Sequence, residues 1–421
     1  MKRFQLFSIL TSFFLTAAAL QAGPTDAYVA NSVSHNVSVI DTSTNVVTET
    51  VALLLGSGPE GIAITPNGSF VYVADFSAGT VSVINTSTNS VTATVAVNLD
   101  AYGVAITPNG LFAYVSSGIS NNTGTASVIN TSTNSVTATV TVGINPRAVA
   151  ITPNGLFAYV TNIGIITTNP ATISVINTST NTVIATVTVG PEASGVAITP
   201  NGSFAYVTNA NLSGTVSVIN TSTNTVTATI AVGADPHGVA ITPNGSFAYV
   251  INTNLSGTVS VINTSTNSVI ATVPVGSEPL GVAIAPNGSF VYVANNSNPG
   301  TVSVINTSTN SVTATVTVGA GPGAIATAWS PQPPPCISGF QKKDRFLTQT
   351  DLYNTIKWCP SPSVFATSYN IYRNGTLIGS VPATQLTFED HNRRKGEKYL
   401  YGVTAVSSGG AIGIPTTITL P

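Results

Sequence analysis

The side chains that could do chemistry in this sequence occupy two equivalent positions of a repeated segment. The first position precedes a site that is most often proline, and it holds small or oxygen-bearing side chains. Its seven occupants are Gly58, Asp100, Asn145, Glu192, Asp235, Glu278 and Gly321. The second position follows that site and is more varied. Its occupants are Glu60, Tyr102, Arg147, Ser194, His237, Leu280 and Gly323.

Oxygen atoms at the first position could bind a hard cation such as Ca²⁺. The four candidate metal ligands are Asp100, Glu192, Asp235 and Glu278. The second position adds an aromatic ring, a cation and an imidazole, which together could bind a polar ligand. The candidate ligand-binding residues are therefore Asp100, Tyr102, Asn145, Arg147, Glu192, Asp235, His237 and Glu278. The alternative is a solvated acidic rim in which Asp and Glu only form turns.

The sequence offers few groups for catalysis. Residues 23–329 hold two histidines, His35 and His237, one arginine and no lysine. Acid–base chemistry by His237 with Asp235 or Glu278 is conceivable, but an exposed histidine is more often solvated than catalytic. No Cys-x-x-Cys-His segment indicates haem attachment. We therefore assign no catalytic residue and expect a protein that is not an enzyme.

A repeat of about 43 residues must position these side chains. Pro-Asn-Gly recurs six times, and Tyr-Val recurs seven times. Each unit contains four β-branched runs separated by turn residues, which predicts four strands, A to D. Four strands per unit, repeated seven times, are typical of an all-β, seven-bladed β-propeller.

The two ends of the repeat region predict how the propeller closes. The first unit begins with strand B at Ala27–Ala30, and Gly323–Trp329 supplies a strand A that belongs to no complete unit. We expect the first blade to combine three N-terminal strands with this C-terminal strand, because that arrangement leaves no open seam.

The loops differ in how much they vary between copies. Successive antiparallel strands alternate in direction, so the D–A and B–C loops should share one face of the propeller. These loops vary, whereas the turns on the opposite face are nearly identical. The two positions described above fall in the D–A loops, which ring the mouth of the central channel. We expect the variable loop face to be the binding surface. Alternatively, long loops are simply tolerated at an exposed edge.

These repeats resemble the YVTN β-propeller family of secreted and surface-layer proteins. The resemblance covers residues 26–329 and rests on the Tyr-Val segments and the Asn-Thr-Ser-Thr-Asn turns. It implies the fold more strongly than a function, because related seven-bladed families include enzymes, electron-transfer proteins and binding domains.

Composition and charge restrict the partners and the compartment. Residues 23–329 hold one cation and nine carboxylates, a net charge of −8. We therefore expect no nucleic-acid binding, which needs many cations to neutralise phosphates. The basic and apolar segment at 1–22 predicts a signal peptide. After its cleavage we expect no membrane span and a secreted, periplasmic or cell-surface protein.

The composition changes after the propeller. The Pro-rich segment 330–335 predicts a stiff linker. Within 336–421, Ile356-Lys357-Trp358, the strand around Tyr372 and the segment around Tyr399 resemble a fibronectin type III module, a small β-sandwich. In that resemblance Trp358 is the core tryptophan and Tyr399 is the tyrosine of the corner between two strands.

The two cysteines of the chain, Cys336 and Cys359, fall in this C-terminal module. Antiparallel neighbouring strands bring the start of one beside the end of the next, so the pair could form a disulfide. A metal site would need further ligands, and two free thiols are the other possibility.

These observations favour an exported, non-enzymatic binding or surface-scaffold protein that presents the variable loop face to a protein or carbohydrate ligand. The alternative is a divalent-cation-dependent hydrolase or lyase acting at the acidic channel mouth. The sequence establishes no cofactor, and Ca²⁺, bound by the oxygen ligands named above, is the candidate.

Overall fold

The computed structural model of this chain is all-β, and every regular element in the part that it describes is a strand. The predicted signal peptide (1–22) and linker (330–335) lie outside the described residues. The described residues are 26–118, 122–165, 170–253, 256–327, 336–345, 350–360, 366–391, 394, 397–407 and 416–420.

Seven four-stranded antiparallel sheets form the blades of a propeller, each with the strand order A-B-C-D. The strands of blades 2 to 4 are β4 (Pro59–Ile64), β5 (Phe70–Asp75), β6 (Thr80–Asn85), β7 (Ser90–Ala96), β8 (Ala101–Ile106), β9 (Phe112–Ser117), β10 (Thr123–Asn130), β11 (Ser135–Ile144), β12 (Pro146–Ile151), β13 (Phe157–Asn162), β14 (Thr172–Asn177) and β15 (Thr182–Thr188). Those of blades 5 to 7 are β16 (Ala193–Ile198), β17 (Phe204–Asn209), β18 (Thr215–Asn220), β19 (Thr225–Ala231), β20 (Pro236–Ile241), β21 (Phe247–Asn252), β22 (Thr258–Asn263), β23 (Ser268–Pro274), β24 (Pro279–Ile284), β25 (Phe290–Asn295), β26 (Gly300–Asn306) and β27 (Ser311–Val318).

The first blade confirms the predicted closure. It combines β1 (Asp26–Asn31), β2 (Asn36–Asp41) and β3 (Val46–Ala52) with β28 (Pro322–Thr327) from the far end of the repeats. The inner strand β28 pairs antiparallel with β1, with Val29 opposite Ile325. The ring is therefore closed by backbone hydrogen bonds within one sheet.

The core lies between the faces of adjacent blades. The aromatic and β-branched side chains of strands B and C are buried there because the preceding blade covers one face of these strands and the following blade covers the other. The seven tyrosines of the Tyr-Val segments are among the most buried side chains, at 0% or 1% exposed. Strand D lies at the perimeter, and most of its residues are exposed.

Most of these tyrosines also link one blade to the next. Tyr159, for example, donates from its hydroxyl to Asn224 Oδ1 at 2.7 Å, and Asn224 is the last residue of the C–D turn of the following blade. Asn224 has a φ of 53°, a left-handed conformation that asparagine tolerates well. The equivalent hydrogen bond, from a tyrosine hydroxyl to an asparagine Oδ1 of the following blade, is made by five other tyrosines: Tyr28, Tyr72, Tyr114, Tyr206 and Tyr249.

The seventh link differs, and this difference gives a prediction. Tyr292 bonds with Thr42, and among the described residues no hydrogen-bond partner reaches Asn45 Oδ1. We expect Asn224→Gly to lower the free energy of unfolding by about 1 kcal/mol more than Asn45→Gly, because only Asn224 accepts the tyrosine bond. Both asparagines have a positive φ, 53° and 57°, so the backbone gain from glycine cancels in the comparison. Equal urea midpoints for the two variants would contradict this role.

The C-terminal strands form a small β-sandwich. Its strands are β29 (Ile337–Arg345), β30 (Thr350–Trp358), β31 (Ala366–Arg373), β32 (Thr376–Pro382), β33 (Thr387–Asp390), β34 (Tyr399–Ser407) and β35 (Thr416–Leu420). They make one three-stranded and one four-stranded sheet. Buried Trp358 from one sheet packs edge-on against Tyr369 from the other, with ring centroids 5.5 Å apart. The resemblance to fibronectin type III stays a prediction, although Tyr399 Oη does accept a bond from the upstream Arg394 backbone N–H.

The predicted disulfide is confirmed. Cys336 and Cys359 are bonded, and the Cys359 N–H also donates to the Cys336 carbonyl at 3.2 Å. In the described residues we find no helix of the length and apolarity that a membrane crossing requires.

Candidate functional site

The seven residues of the second position lie around the axis of the propeller. The sequence places them in the D–A loops, but in the structure they belong to strand A, as its second residue. Glu60, for example, lies in β4, which already begins at Pro59. Pro59 already pairs with Asp75 of the neighbouring strand, and regular pairing resumes at Gly61 after a register shift. Glu60 therefore lies within the strand, at the irregularity. The occupants therefore line the channel itself.

These residues form the rim of a cavity of about 190 Å³, here called the axial cup. Six of the seven second-position residues line it, among them Glu60, Tyr102, Ser194 and His237. Two residues further along each inner strand, side chains point the same way because strand side chains alternate. That next ring is apolar throughout: Ile62, Val104, Val149, Val196, Val239, Val282 and Ile325. The cup thus has a polar rim and an apolar floor.

Glu60 is a partly buried carboxyl group on this rim. Its side chain fills the space left by Gly323, because a β-carbon at Gly323 would lie only 2.9 Å from Glu60 Oε2. Burial raises the pKa of Glu60 to about 7, against the opposite influence of the Arg147 charge. Near neutral pH this carboxyl group can therefore both give and take a proton.

Arg147 and Tyr102 form a stacked pair on two adjacent blades. The guanidinium carbon of Arg147 lies 4.2 Å from the centroid of the Tyr102 ring, a cation–π contact. Phe76, from the B–C loop, packs edge-on against the same ring at 6.1 Å. Burial raises the pKa of Tyr102 and the Arg147 charge opposes it, so the phenol stays protonated. The only cation of the propeller is thus held at the axis.

His237 links the rim of the cup to a carboxylate. Its Nδ1 lies 3.3 Å from Ser194 Oγ on the neighbouring blade. Its Nε2 lies 3.4 Å from Asp235 Oδ1. Burial lowers the pKa of His237, and the nearby Asp235 charge opposes that effect. The imidazole is therefore mostly neutral at pH 7.

The first-position residues share a backbone conformation. Asp100, Asn145, Glu192, Asp235 and Glu278 all have a φ between 50° and 58°. The glycines at the two remaining copies, Gly58 and Gly321, are left-handed as well. Gly, Asn and Asp are the residues that adopt this conformation at least cost. A turn requirement therefore explains most occupants of this position without any ligand.

The predicted calcium ligands do not form a cluster. Among the described residues, no group of three or more His, Cys, Asp or Glu side chains could hold a metal ion. Asp100, Glu192, Asp235 and Glu278 each come from a different D–A loop, so the blades space them around the mouth. The arrangement gives no support to a Ca²⁺ site at these four residues, which stays a prediction.

An open depression on the loop face adjoins the cup. It measures about 620 Å³, and its lining includes Leu212, Asp235 and Glu278. Leu212 is 91% exposed. Leu280 borders both this depression and the axial cup. Of the predicted ligand-binding residues, Tyr102 and His237 thus line the cup. Arg147 stacks on Tyr102, Asp235 contacts His237, and Glu278 lines the depression beside Asp235.

Sequence reasoning named Glu60 and Ser194 as occupants of the second position but did not select them as ligand-binding residues. The available signal was their alignment with Tyr102, Arg147 and His237, which places all five on the same ring. Together they supply a proton-exchanging carboxyl, a cation, a phenol, a hydroxyl and a neutral imidazole. That set can bind a small polar ligand and can transfer protons to it.

Two family models match separate parts of the chain. One, described as YNCE-like beta-propeller, matches residues 188–371, and one described as Lactonase, 7-bladed beta-propeller, matches residues 40–164. The lactonase-like segment 40–164 contains Glu60, Tyr102 and Arg147. The YNCE-like segment 188–371 contains Ser194 and His237. No curated protein shows a significant match.

Solved structures show the same fold. The chain is similar to hydrazine synthase of Kuenenia stuttgartiensis, with a TM-score of 0.61 and 22% identity over 71% of this chain and 99% of that chain. It is also similar to a functionally unknown protein from Desulfotomaculum acetoxidans, with a TM-score of 0.59 and 19% identity over 72% and 99% of the two chains. Residues 26–327 therefore form a seven-bladed β-propeller, and the matched segments 40–164 and 188–371 are similar to lactonase and YNCE-like propellers respectively.

Proposed function

We propose that the protein is an exported binding or surface-scaffold protein whose loop face receives a ligand or partner, with the axial cup as the ligand site. One observation carries this proposal: four polar side chains from four different blades line one cavity above an apolar floor, and a fifth from another blade, Arg147, stacks on Tyr102 beside it. The rest of the propeller has few ionisable groups, so this convergence is the most distinctive chemistry of its surface.

The shape and charge of the cup indicate the kind of ligand. A polar rim above a floor of Val and Ile fits a small molecule, or the end of a larger one, with a polar head and a short apolar part. Arg147 can pair with a carboxylate or carbonyl oxygen of that head. A protein or a carbohydrate could present such a group from the loop face.

The disulfide supports the exported location. Such bonds form and persist in secreted and periplasmic compartments. The basic and apolar segment at 1–22 agrees with export.

Binding to the cup gives a direct prediction for Arg147. We expect Arg147→Met to weaken binding of any cup ligand at least tenfold, about 1.4 kcal/mol, because the only propeller cation is lost. The measurement is titration calorimetry with ligands selected from glycan, peptide and small-molecule arrays. Lys342→Met, which removes an exposed cation from the sandwich, is the matched control and should bind as the parent does. Unchanged affinity in Arg147→Met would place the ligand elsewhere.

A hydrolase or lyase acting at the channel mouth is the second candidate function. It is favoured by Glu60, whose pKa of about 7 suits acid–base work, and by the similarity of residues 40–164 to lactonase propellers. We propose to screen lactone, sugar and ester turnover with and without a chelator. Turnover that is lost in Glu60→Gln would favour this candidate, and its loss on chelation would revive the Ca²⁺ prediction.

A further inference from the structure

Two side chains of the cup and one from the adjoining depression form a continuous chain of contacts. Ser194 Oγ lies 3.3 Å from His237 Nδ1, and His237 Nε2 lies 3.4 Å from Asp235 Oδ1. Ser194 belongs to β16, whereas His237 belongs to β20, on the next blade. Ser194 and His237 both line the cavity, so a bound molecule would meet the hydroxyl group directly.

The carboxylate determines which imidazole nitrogen carries the proton. Asp235 can only accept when ionised, so His237 Nε2–H donates to it. Nδ1 is then the acceptor and can take the hydroxyl proton of Ser194. A nucleophile, a base and an orienting acid in this order are the parts of a serine triad. The two ring nitrogens are exchanged relative to serine proteases, in which Nε2 faces the serine.

The surroundings keep the base neutral. Burial and the Arg147 charge lower the pKa of His237, while the Asp235 and Glu192 charges raise it, and the net result is a lowered pKa. Glu60 is the other acid on the rim of the same cavity. A neutral imidazole is the form that can accept a proton at pH 7.

We propose that Ser194 is a nucleophile activated by His237, that Asp235 positions the imidazole, and that the cup carries out acyl transfer from small esters or lactones. This inference deepens the second candidate function and rests on the proposal that the cup takes up small ligands. Apolar parts of the acyl group would contact Val196 and Val239 on the floor.

The step balances without a further reactant other than water. Ser194 Oγ forms a bond to the carbonyl carbon while its proton moves to His237 Nδ1. The bond to the leaving oxygen breaks, and that oxygen takes the proton from His237. Water then attacks the carbonyl carbon of the acyl-serine and gives one proton to His237 Nδ1. The bond from that carbon to Ser194 Oγ breaks, Oγ takes the proton from His237, and the acid is released with Ser194 and His237 restored. We assign stabilisation of the tetrahedral oxyanion to Arg147, which stacks on Tyr102 of the rim and whose charge acts on His237.

A fluorophosphonate probe tests this assignment without knowledge of the substrate. Activated Ser194 would bond to phosphorus and expel fluoride, and peptide mass spectrometry would locate the adduct. We expect His237→Gln to reduce the labelling rate at least ~100-fold, although the serine is still present. Ser213 and Ser222, which lie in exposed turns, are internal controls and should stay unlabelled. The variant Glu49→Gln, which removes an exposed acid on strand D, should be labelled at Ser194 at the same rate as the parent protein.

The pH dependence of the labelling rate can first be measured in the unaltered protein, where no variant has to fold correctly. In the unaltered protein, labelling should fall with pH only below the ordinary histidine pKa of 6.5, because the pKa of His237 is lowered. Asp235→Asn should slow labelling and move the midpoint to still lower pH, because the Asp235 charge raises that pKa. A merely structural role of Asp235 would leave the midpoint unchanged.

The outcomes separate this inference from the proposed binding function. Labelling of Ser194 that depends on His237 supports the triad. No adduct at Ser194 overturns it, and array ligands that still bind in the Arg147-dependent manner then leave the binding function standing. Equal labelling of Ser194 and the control serines would also overturn the inference, since it would show an ordinary hydroxyl.

Discussion

A chain that ends at Gly321 should lose its cooperative thermal transition and aggregate, whereas a chain that ends at Ser330 should keep both its melt and its monomeric state. Both chains lack the β-sandwich, and they differ in strand β28. Without β28, the edge of β1 is exposed along its backbone, and unpaired edges template aggregation. Ile325, which is 6% exposed and packs in the core shared with blade 7, is lost as well.

Calorimetry and size-exclusion chromatography of the two chains give the comparison. Burial of the Ile325 side chain alone contributes about 2 kcal/mol, and the closed sheet adds the pairing of β28 with β1. A chain ending at Gly321 that melted cooperatively at the same temperature as the longer chain would show that closure of the ring does not depend on β28.

The substitution Asp75→Asn should stabilise the protein at neutral pH, by about 2 kcal/mol, because it removes a buried charge that no cation compensates. Asp75 is fully buried, and its Oδ2 accepts bonds from Thr80 and Ser82 at 3.0 and 2.7 Å. Among the described residues its Oδ1 has no partner. The equivalent residue in other blades is neutral: Asn31, Ser117, Asn162, Asn209, Asn252 and Asn295.

The gain should depend on pH. Burial raises the pKa of Asp75 above its ordinary value of 3.8, more than the bonds from Ser82 and Thr80 lower it. Protonation of the folded protein therefore relieves the buried charge as the pH falls, and the penalty is fully present only above the raised pKa. Urea unfolding should show a gain at pH 7.5 that shrinks towards pH 3.8. Asn162→Asp is the reverse control and should lose stability at pH 7.5. A gain that is independent of pH would contradict the charge explanation.

The fold could be predicted from the sequence because repetition multiplies weak signals. A single Gly-Val-Ala-Ile run would not identify a strand, but seven copies in register with Tyr-Val and Asn-Thr-Ser-Thr-Asn indicate a blade. Closure could be predicted by counting strands, because the first unit lacks a strand A and one unassigned strand A follows the last unit. The Cys336–Cys359 bond followed from the expected pairing of adjacent strands.

The site was only partly predictable, because its chemistry depends on where a strand begins. The repeat places Glu60 and Arg147 in equivalent positions, but it gives no sign that the bulge after the proline turns them into the channel. The left-handed backbone at Asp100 and Glu192 was also not predicted. The presence of Gly and Asn at the same position in other copies is a sequence signal for that conformation. Contacts such as Ser194 with His237 join different blades and have no trace in local sequence.

Blocking the cup tests the central claim most directly. Gly323 is the one rim position without a side chain, so Gly323→Phe should fill the cavity and displace the Glu60 carboxyl group, which lies 2.9 Å from the position of the new β-carbon. The measurement is the affinity of the array-selected ligand for this variant. We predict at least a tenfold loss, whereas Val226→Phe, on an exposed part of strand D, should bind as the parent does. Equal affinity of the two variants would contradict the assignment of the axial cup as the ligand site.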